Sequence, residues 1–84
     1  MRPYAVYLHE SVLQMTPRSR ARRDRIMKFI RELANDPFRR GDFQDKDDVG
    51  NEIQVKIIGD HAVSYWADHA VREVKVINVQ SADI

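Results

Sequence analysis

Two runs of alternating apolar and polar residues flank a Gly-Asp pair in the second half of the chain. The first run covers residues 51 to 58 and the second covers residues 61 to 67. Alternation with a period of two is typical of β-strands, and Gly59-Asp60 fits a two-residue turn with glycine first. The sequence therefore predicts a β-hairpin in which Ile58 pairs with His61, and this register assigns every side chain to a face.

Both faces of the predicted hairpin carry large apolar side chains. One face holds Ile53, Val55, Ile57, Ala62, Ser64 and Trp66. The other holds Gln54, Lys56, Ile58, His61, Val63 and Tyr65. Two interpretations remain open. Either the sheet keeps an ordinary amount of apolar surface, or helices cover one face and a partner covers the other.

A strand is predicted near each end of the chain, with a loop between the helical region and the hairpin. Residues 4 to 8 are aromatic and β-branched, and residues 73 to 79 alternate, which is typical of strands. Residues 38 to 50 lack periodicity and include four aspartates, so a solvated loop is predicted there. The aspartates do not have the spacing of a calcium loop, and no metal or other cofactor is expected.

Two helical segments are predicted after the first strand. Residues 9 to 15 predict one or two turns with Val12 and Leu13 facing inward. Thr16-Pro17 predicts the start of a longer helix, because threonine caps helices and proline suits the first helical position. An apolar stripe at i, i+3, i+4 and i+7 follows, formed by Ile26, Phe29, Ile30 and Leu33. Pro37 ends this helix, since it disfavours helical geometry at Asp36.

This order of elements predicts an α+β fold. It would have a mainly antiparallel sheet of about four strands with an N-terminal helical hairpin on one face. Residues 1 to 84 suffice for a single domain, small enough that a second copy of the chain is a candidate partner. The absence of cysteine excludes disulfides and thiolate sites. No apolar run suits a leader or a membrane span, so a cytoplasmic protein is expected.

Positive charge is concentrated in the predicted long helix. The formal net charge of the chain is only +1, yet residues 18 to 31 contain seven bases and a single acid, Asp24. The bases are Arg18, Arg20, Arg22, Arg23, Arg25, Lys28 and Arg31. A basic cluster of this kind is typical of proteins that bind polyanions, and guanidinium groups suit phosphate and carboxylate recognition. We expect it to bind nucleic acid or an acidic protein. The alternative is a solvated helix face.

The helix ends in the phrase LANDPF, and the hairpin contains the phrase IIGDHAVSYWAD. With YAVYLHESV before them and EVKVINV after them, these phrases resemble the RelE/ParE superfamily of bacterial toxins. The resemblance implies a growth-inhibiting, plasmid-stabilising toxin that a cognate antitoxin protein holds inactive. RelE-like members cleave messenger RNA in the ribosome with cationic side chains, whereas ParE-like members poison DNA gyrase.

The chain departs from the RelE pattern where that family carries its ribonuclease chemistry. Ala62 stands at the position of the hairpin arginine and His61 at that of the preceding aromatic, and no arginine or tyrosine follows the last strand. Alanine cannot bind phosphate through its side chain. We therefore expect a ParE-like or catalytically degenerate toxin that acts by binding a macromolecule. A ribosome-dependent endoribonuclease with a rearranged site, or a non-toxic basic binding module, are the alternatives.

For a rearranged site, the candidate catalytic residues are His61, Tyr65 and Lys56, with Lys75 nearby on the same predicted sheet face. RNA cleavage requires a base, a proton donor and cations, and only histidine titrates near neutral pH. The alternative is that His61 is a surface residue beside the turn and Tyr65 packs in the sheet.

Overall fold

The computed structural model describes residues 2 to 82, which form a five-stranded sheet and two helices. In chain order the elements are β1 (Ala5–Leu8), α1 (Glu10–Met15), α2 (Arg20–Glu32), β2 (Phe43–Lys46), β3 (Glu52–Ile58), β4 (His61–Asp68) and β5 (Glu73–Ser81). The strand order is β1-β5-β4-β3-β2, with β1 parallel to β5 and the other neighbours antiparallel. The α+β class is confirmed, but the prediction of about four strands is wrong, and the sheet is mixed.

The additional strand is β2, which lies inside the predicted loop of residues 38 to 50. It pairs with β3 from Phe43 opposite Val55 to Lys46 opposite Glu52. All four residues of β2 are exposed, so an inward-facing apolar pattern is missing from its sequence. Short, charged edge strands are common because they discourage further pairing. Here the backbone of β3 determines the strand.

The long helix begins three residues later than Thr16-Pro17 predicts. Thr16 instead ends α1, where its hydroxyl donates to the Leu13 carbonyl at 3.0 Å. Ser19 is the N-cap of α2, and its hydroxyl accepts from the Arg22 amide at 3.5 Å. The predicted start is wrong because Thr16 serves the preceding helix. Val12 is buried as expected, whereas Leu13 is 61% exposed, so its predicted inward orientation is wrong.

The hairpin register is confirmed, since Ile58 pairs with His61 across the Gly59-Asp60 turn. Gly59 has a φ of 62°, a conformation that favours glycine. The helices cover the face that carries Val63 and Tyr65, both almost fully buried. The predicted apolar stripe of α2 packs there, in a core of Val12, Ile26, Phe29, Ile30, Leu33, Val63, Tyr65, Val74, Val76 and Val79.

A β-bulge in β5 adapts that strand to the core. Ser64 pairs with Asn78 and Tyr65 with Val76, so Ile77 is the extra residue. The bulge allows Val76 and Val79, three residues apart, to face the helices together, and both are fully buried. Without it, period-two alternation would turn one of these valines to the opposite face.

The opposite face of the sheet is not covered by either helix. Tyr7, Lys75 and Trp66 lie side by side there on β1, β5 and β4, and Tyr7 is 55% exposed. That helices cover one face is confirmed. A partner on the other face remains a prediction. Within residues 2 to 82, neither helix has the length and apolar composition that a membrane crossing requires.

Candidate polyanion-binding groove

A groove of about 340 Å³ separates α2 from the start of the hairpin turn. We call it the α2–β3 groove, and it is lined by Arg25, Lys28, Phe29, Glu32, Arg39, Lys56, Ile57, Ile58 and Gly59. Four of these side chains are basic and one is acidic. The bases come from α2, from the segment after it and from β3, so the groove is cationic on both walls. An anionic chain can therefore be contacted from two sides.

The acids near the groove already have partners. Glu32 accepts from the Arg39 guanidinium at 3.1 Å, and that guanidinium also lies 4.9 Å from the Phe29 ring centroid. Asp42 accepts from the Ile57 amide at 2.8 Å and lies 3.4 Å from the Lys56 ammonium. The hydrogen bond from the Ile57 amide is the largest cause that lowers the pKa of Asp42. Lys56 lowers this pKa further, whereas desolvation raises it.

Arg25 and Lys28 make no ion pair among residues 2 to 82 that is as short as 4 Å. Their charges are the uncompensated part of the groove. Lys56, only 29% exposed at its side chain, is held opposite them on β3. Because all three cations border one hollow, their fields add for a ligand that lies between them.

The predicted basic cluster divides between two sides of α2, except for Arg18, which precedes the helix. Arg25 and Lys28 line the α2–β3 groove, and Arg22 and Arg25 line an adjoining hollow beside Gly59-Asp60. The other bases of the predicted cluster lie outside both hollows: Arg18, Arg20, Arg23 and Arg31. The separation follows from the helical repeat, because residues three apart share a face whereas residues one or two apart do not.

At the hairpin turn, Asp60 joins Arg22 to His61. Its carboxylate lies 3.1 Å from the Arg22 guanidinium and 2.8 Å from Nδ1 of His61. The His61 bond is the largest cause that lowers the pKa of Asp60, and the Arg22 charge adds to it against desolvation. An ionised carboxylate only accepts, so Nδ1 carries a proton and Nε2 is the acceptor in neutral His61.

Tyr65 is buried among the residues that support the groove. It is 1% exposed, and its hydroxyl donates to the Arg39 carbonyl at 2.9 Å. Its ring contacts Phe29 edge to face, with centroids 5.5 Å apart. Burial raises the pKa of Tyr65 to about 12, so the phenol keeps its proton at neutral pH. In this structure Tyr65 fixes the position of Arg39.

The predicted grouping of His61, Tyr65, Lys56 and Lys75 on one face is only partly found. Lys75 is on the uncovered face, where its ammonium lies 5.0 Å from the Trp66 ring centroid, so its predicted placement is wrong. The bulge that re-registers β5 explains this difference. His61 and Tyr65 share a face but are four residues apart on β4, about 13 Å along the strand.

Arg39 and Arg40 are the basic residues that sequence reasoning missed. They lie in the predicted loop, and the only signal was a basic dipeptide directly after Phe38. Arg39 lies in the groove because Glu32 and Tyr65 hold it, and the Tyr65 contact joins residues 26 positions apart in the chain. Among residues 2 to 82, no three His, Cys, Asp or Glu side chains are grouped to hold a metal ion.

The sheet topology and helix placement define a RelE-type toxin fold, which confirms the predicted resemblance at the level of the fold. The chain is similar to a structure of an archaeal RelE-RelB complex from Pyrococcus horikoshii OT3, with a TM-score of 0.78 and 18% identity over 95% of this chain and 96% of that chain. It is also similar to a structure of the toxin-antitoxin complex RelBE2 from Mycobacterium tuberculosis, with a TM-score of 0.72 and 17% identity over 94% of this chain and 98% of that chain.

No family model matches the chain. No curated protein matches it either.

Proposed function

We propose that this chain is the toxin component of a type II toxin-antitoxin module, which binds a nucleic-acid target through the α2–β3 groove and is neutralised by a cognate antitoxin. The observation that carries the proposal is the convergence of Arg25, Lys28 and Lys56 on one hollow whose acid, Glu32, is occupied by Arg39. The fold supports it, because both structural neighbours are toxin-antitoxin complexes.

A groove with cations on both walls suits a phosphate backbone. Each phosphate that a lysine or arginine neutralises releases condensed counterions, which makes binding favourable and dependent on salt. Arg25 and Lys28 approach from the helix and Lys56 from the strand, so consecutive phosphates can be bound from both sides. An acidic segment of the antitoxin would compete for the same charges, which gives a simple means of neutralisation.

The proposal is tested by inducing the chain in a bacterium and measuring growth, translation and DNA replication separately. We expect growth arrest with loss of translation, relieved by co-expression of the cognate antitoxin. The double variant Arg25→Gln/Lys56→Gln should restore growth. Arg20→Gln/Arg23→Gln removes the same charge outside the groove and is the matched control, which should still arrest growth.

Two results would count against the proposal in different ways. Unimpaired growth with the wild-type chain, at confirmed expression, would replace the toxin with a non-toxic basic binding module of the same fold. Replication arrest and filamentation with translation intact would indicate DNA gyrase as the target, in place of a nucleic acid bound in the groove.

A second candidate function is endoribonuclease activity on ribosome-bound messenger RNA, with His61 as the base. The observation that favours it is the 2.8 Å contact between Nδ1 of His61 and Asp60, which leaves Nε2 as an acceptor. Lys56 and Arg25 would stabilise phosphate charge in that reaction. Cut messages that disappear with His61→Gln, while strand binding persists, would support the enzyme. Intact messages during growth arrest would exclude it.

A further inference from the structure

Phe38 is the most exposed aromatic side chain among residues 2 to 82, yet its ring is held in place. The residue is 73% exposed, and its ring stacks on the His69 ring with centroids 4.6 Å apart and planes within 16°. His69 is itself fixed, because its Nδ1 lies 2.8 Å from the Tyr4 hydroxyl and the two rings meet edge to face. An exposed aromatic ring is therefore supported from behind.

Tyr4, which contacts His69, is itself held by Arg72. The Arg72 guanidinium lies over the Tyr4 ring, 4.9 Å from its centroid, and donates to the Arg2 carbonyl at 2.8 Å. Three successive contacts thus hold Phe38: Arg72 on Tyr4, Tyr4 on His69, and His69 on Phe38. One face of the Phe38 ring is covered by His69. The ring is stacked on one side and 73% of the residue is exposed, which suits it to stacking with a further planar group.

The ring lies next to the cationic groove. Phe38 lines a hollow of about 470 Å³ that includes two bases, Arg39 and Arg40, and two acids, Glu52 and Asp68. Arg39 lines this hollow and the α2–β3 groove as well, so the two are adjacent. Arg40 lies 3.7 Å from Glu52, with both side chains more than half exposed, a geometry that leaves the arginine available to an anion.

We infer that Phe38 and His69 form a stacking platform for one unpaired base of a single-stranded nucleic acid whose phosphates lie in the α2–β3 groove. The inference rests on the proposed function and names its substrate class. Adjacent aromatic rings and cationic grooves together bind single strands, since every base has a π-face and every linkage a phosphate. A duplex keeps its bases stacked on each other, so it cannot offer one to Phe38 without unpairing.

The test compares two fluorescent probes of equal length and charge, a single strand of about ten nucleotides and an abasic strand with the same phosphates. Binding is measured by anisotropy at one fixed ionic strength. Phe38→Leu, which keeps an apolar side chain but loses the ring, should weaken binding of the base-containing probe about tenfold. It should leave binding of the abasic probe unchanged, and Phe38→Trp should retain the wild-type affinity for both.

The control is Phe43→Leu, an exposed phenylalanine on β2 outside the platform, which should bind both probes as the wild type does. Equal affinity of Phe38→Leu and wild type for the base-containing probe, with Lys56→Gln still weakening it, would overturn the platform but not the groove. Equal weakening of both probes by Phe38→Leu would also overturn it, since the ring would then act on the segment holding Arg39. Failure of the wild type to bind either probe would overturn the platform and the groove together.

Discussion

The Arg22 guanidinium lies 3.1 Å from the Asp60 carboxylate and joins α2 to the turn between β3 and β4. The two side chains are 61% and 49% exposed, so solvent screens the pair and it contributes little to stability. Its main consequence is electrostatic. Asp60 offsets one positive charge beside the groove and at the same time holds Nδ1 of His61.

Replacing Asp60 by Asn should therefore strengthen binding of a single-stranded oligonucleotide by about twofold to fivefold, because Arg22 loses its counter-charge. The free energy of unfolding should change little, because the carboxylate is exposed to solvent. Anisotropy titrations and urea unfolding measure the two effects. Asp24→Asn is the control, since Asp24 lies 3.9 Å from Arg20, outside the groove. Unchanged affinity in Asp60→Asn would contradict the electrostatic role of the carboxylate.

The salt dependence of oligonucleotide binding should separate the bases that line the α2–β3 groove from those outside it. Arg25→Gln and Lys56→Gln should each reduce the slope of log affinity against log salt by about 0.7, the value for one phosphate contact on a single strand. Arg23→Gln should leave the slope unchanged, because Arg23 lies outside the groove. Titrations at several salt concentrations test this. A reduced slope in Arg23→Gln would mean that the whole helix circumference binds.

Tyr65→Phe should lower the free energy of unfolding by about 1 kcal/mol, because the buried hydroxyl bond to the Arg39 carbonyl is lost. Growth inhibition should persist, since the phenol is buried and its pKa is about 12. Urea unfolding and an induction assay provide the measurements. Tyr7→Phe, at a 55% exposed residue, should leave stability unchanged. Abolished growth inhibition in a folded Tyr65→Phe variant would contradict this expectation and show that the hydroxyl is needed in the site, either directly or to position Arg39.

Gly41→Ala should destabilise the pairing between β2 and β3. A Cβ at this position would clash with the Val55 carbonyl oxygen, so the backbone has to move, with an expected cost of about 1 to 3 kcal/mol. Gly50→Ala is the comparison. Gly50 has a φ of 88° but open space around it, and only the backbone cost of about 1 to 2 kcal/mol applies. Hydrogen exchange in β2 should rise in Gly41→Ala alone.

Acid should destabilise the protein partly through Asp47. Its carboxylate accepts from the Asn51 side chain at 2.9 Å and from two backbone amides, and the Asn51 side-chain bond is the largest cause that lowers its pKa. A lowered folded-state pKa means that this stabilisation is present above the ordinary value of 3.8 and is lost as pH falls through the folded value.

The melting temperature of Asp47→Asn should consequently fall less than that of the wild type when pH is lowered below 3.8. Asp48→Asn removes the neighbouring acid and should keep the wild-type profile. If the melting temperatures of Asp47→Asn and wild type fell in parallel with pH, the Asn51 contact would not account for the acid sensitivity of the folded state.

Short sequence patterns predicted the β-hairpin and the buried face of α2 correctly. The hairpin follows from period-two alternation and a glycine-led turn, and the core face of α2 follows from Ile26, Phe29 and Ile30, with Leu33 as the C-cap. Strand β2 could not be found in this way. Its four residues are exposed, and only the backbone of β3 selects them. The start of α2 could not be predicted locally either, because both Thr16 and Ser19 can cap a helix. The Thr16 hydroxyl donates to the Leu13 carbonyl of α1, and Ser19 caps α2 instead.

The candidate site was predictable in its charge but not in its shape. The seven bases of residues 18 to 31 indicated polyanion binding, yet they do not indicate which of them face β3. Arg39 enters the groove through contacts with Glu32 and Tyr65, which are 7 and 26 residues away in the chain. Such contacts have no counterpart in a local sequence pattern.

The sequence by itself determined the class of fold, the hairpin register and the concentration of positive charge, because each is encoded by residues within a few positions of one another. Only the tertiary structure decided that Arg25, Lys28 and Lys56 share a groove and that Phe38 stacks on His69. The physical reason is that burial of the Tyr65 and Phe29 face brings α2, β3 and residue 39 together. Charges far apart in the chain thereby become neighbours on one surface.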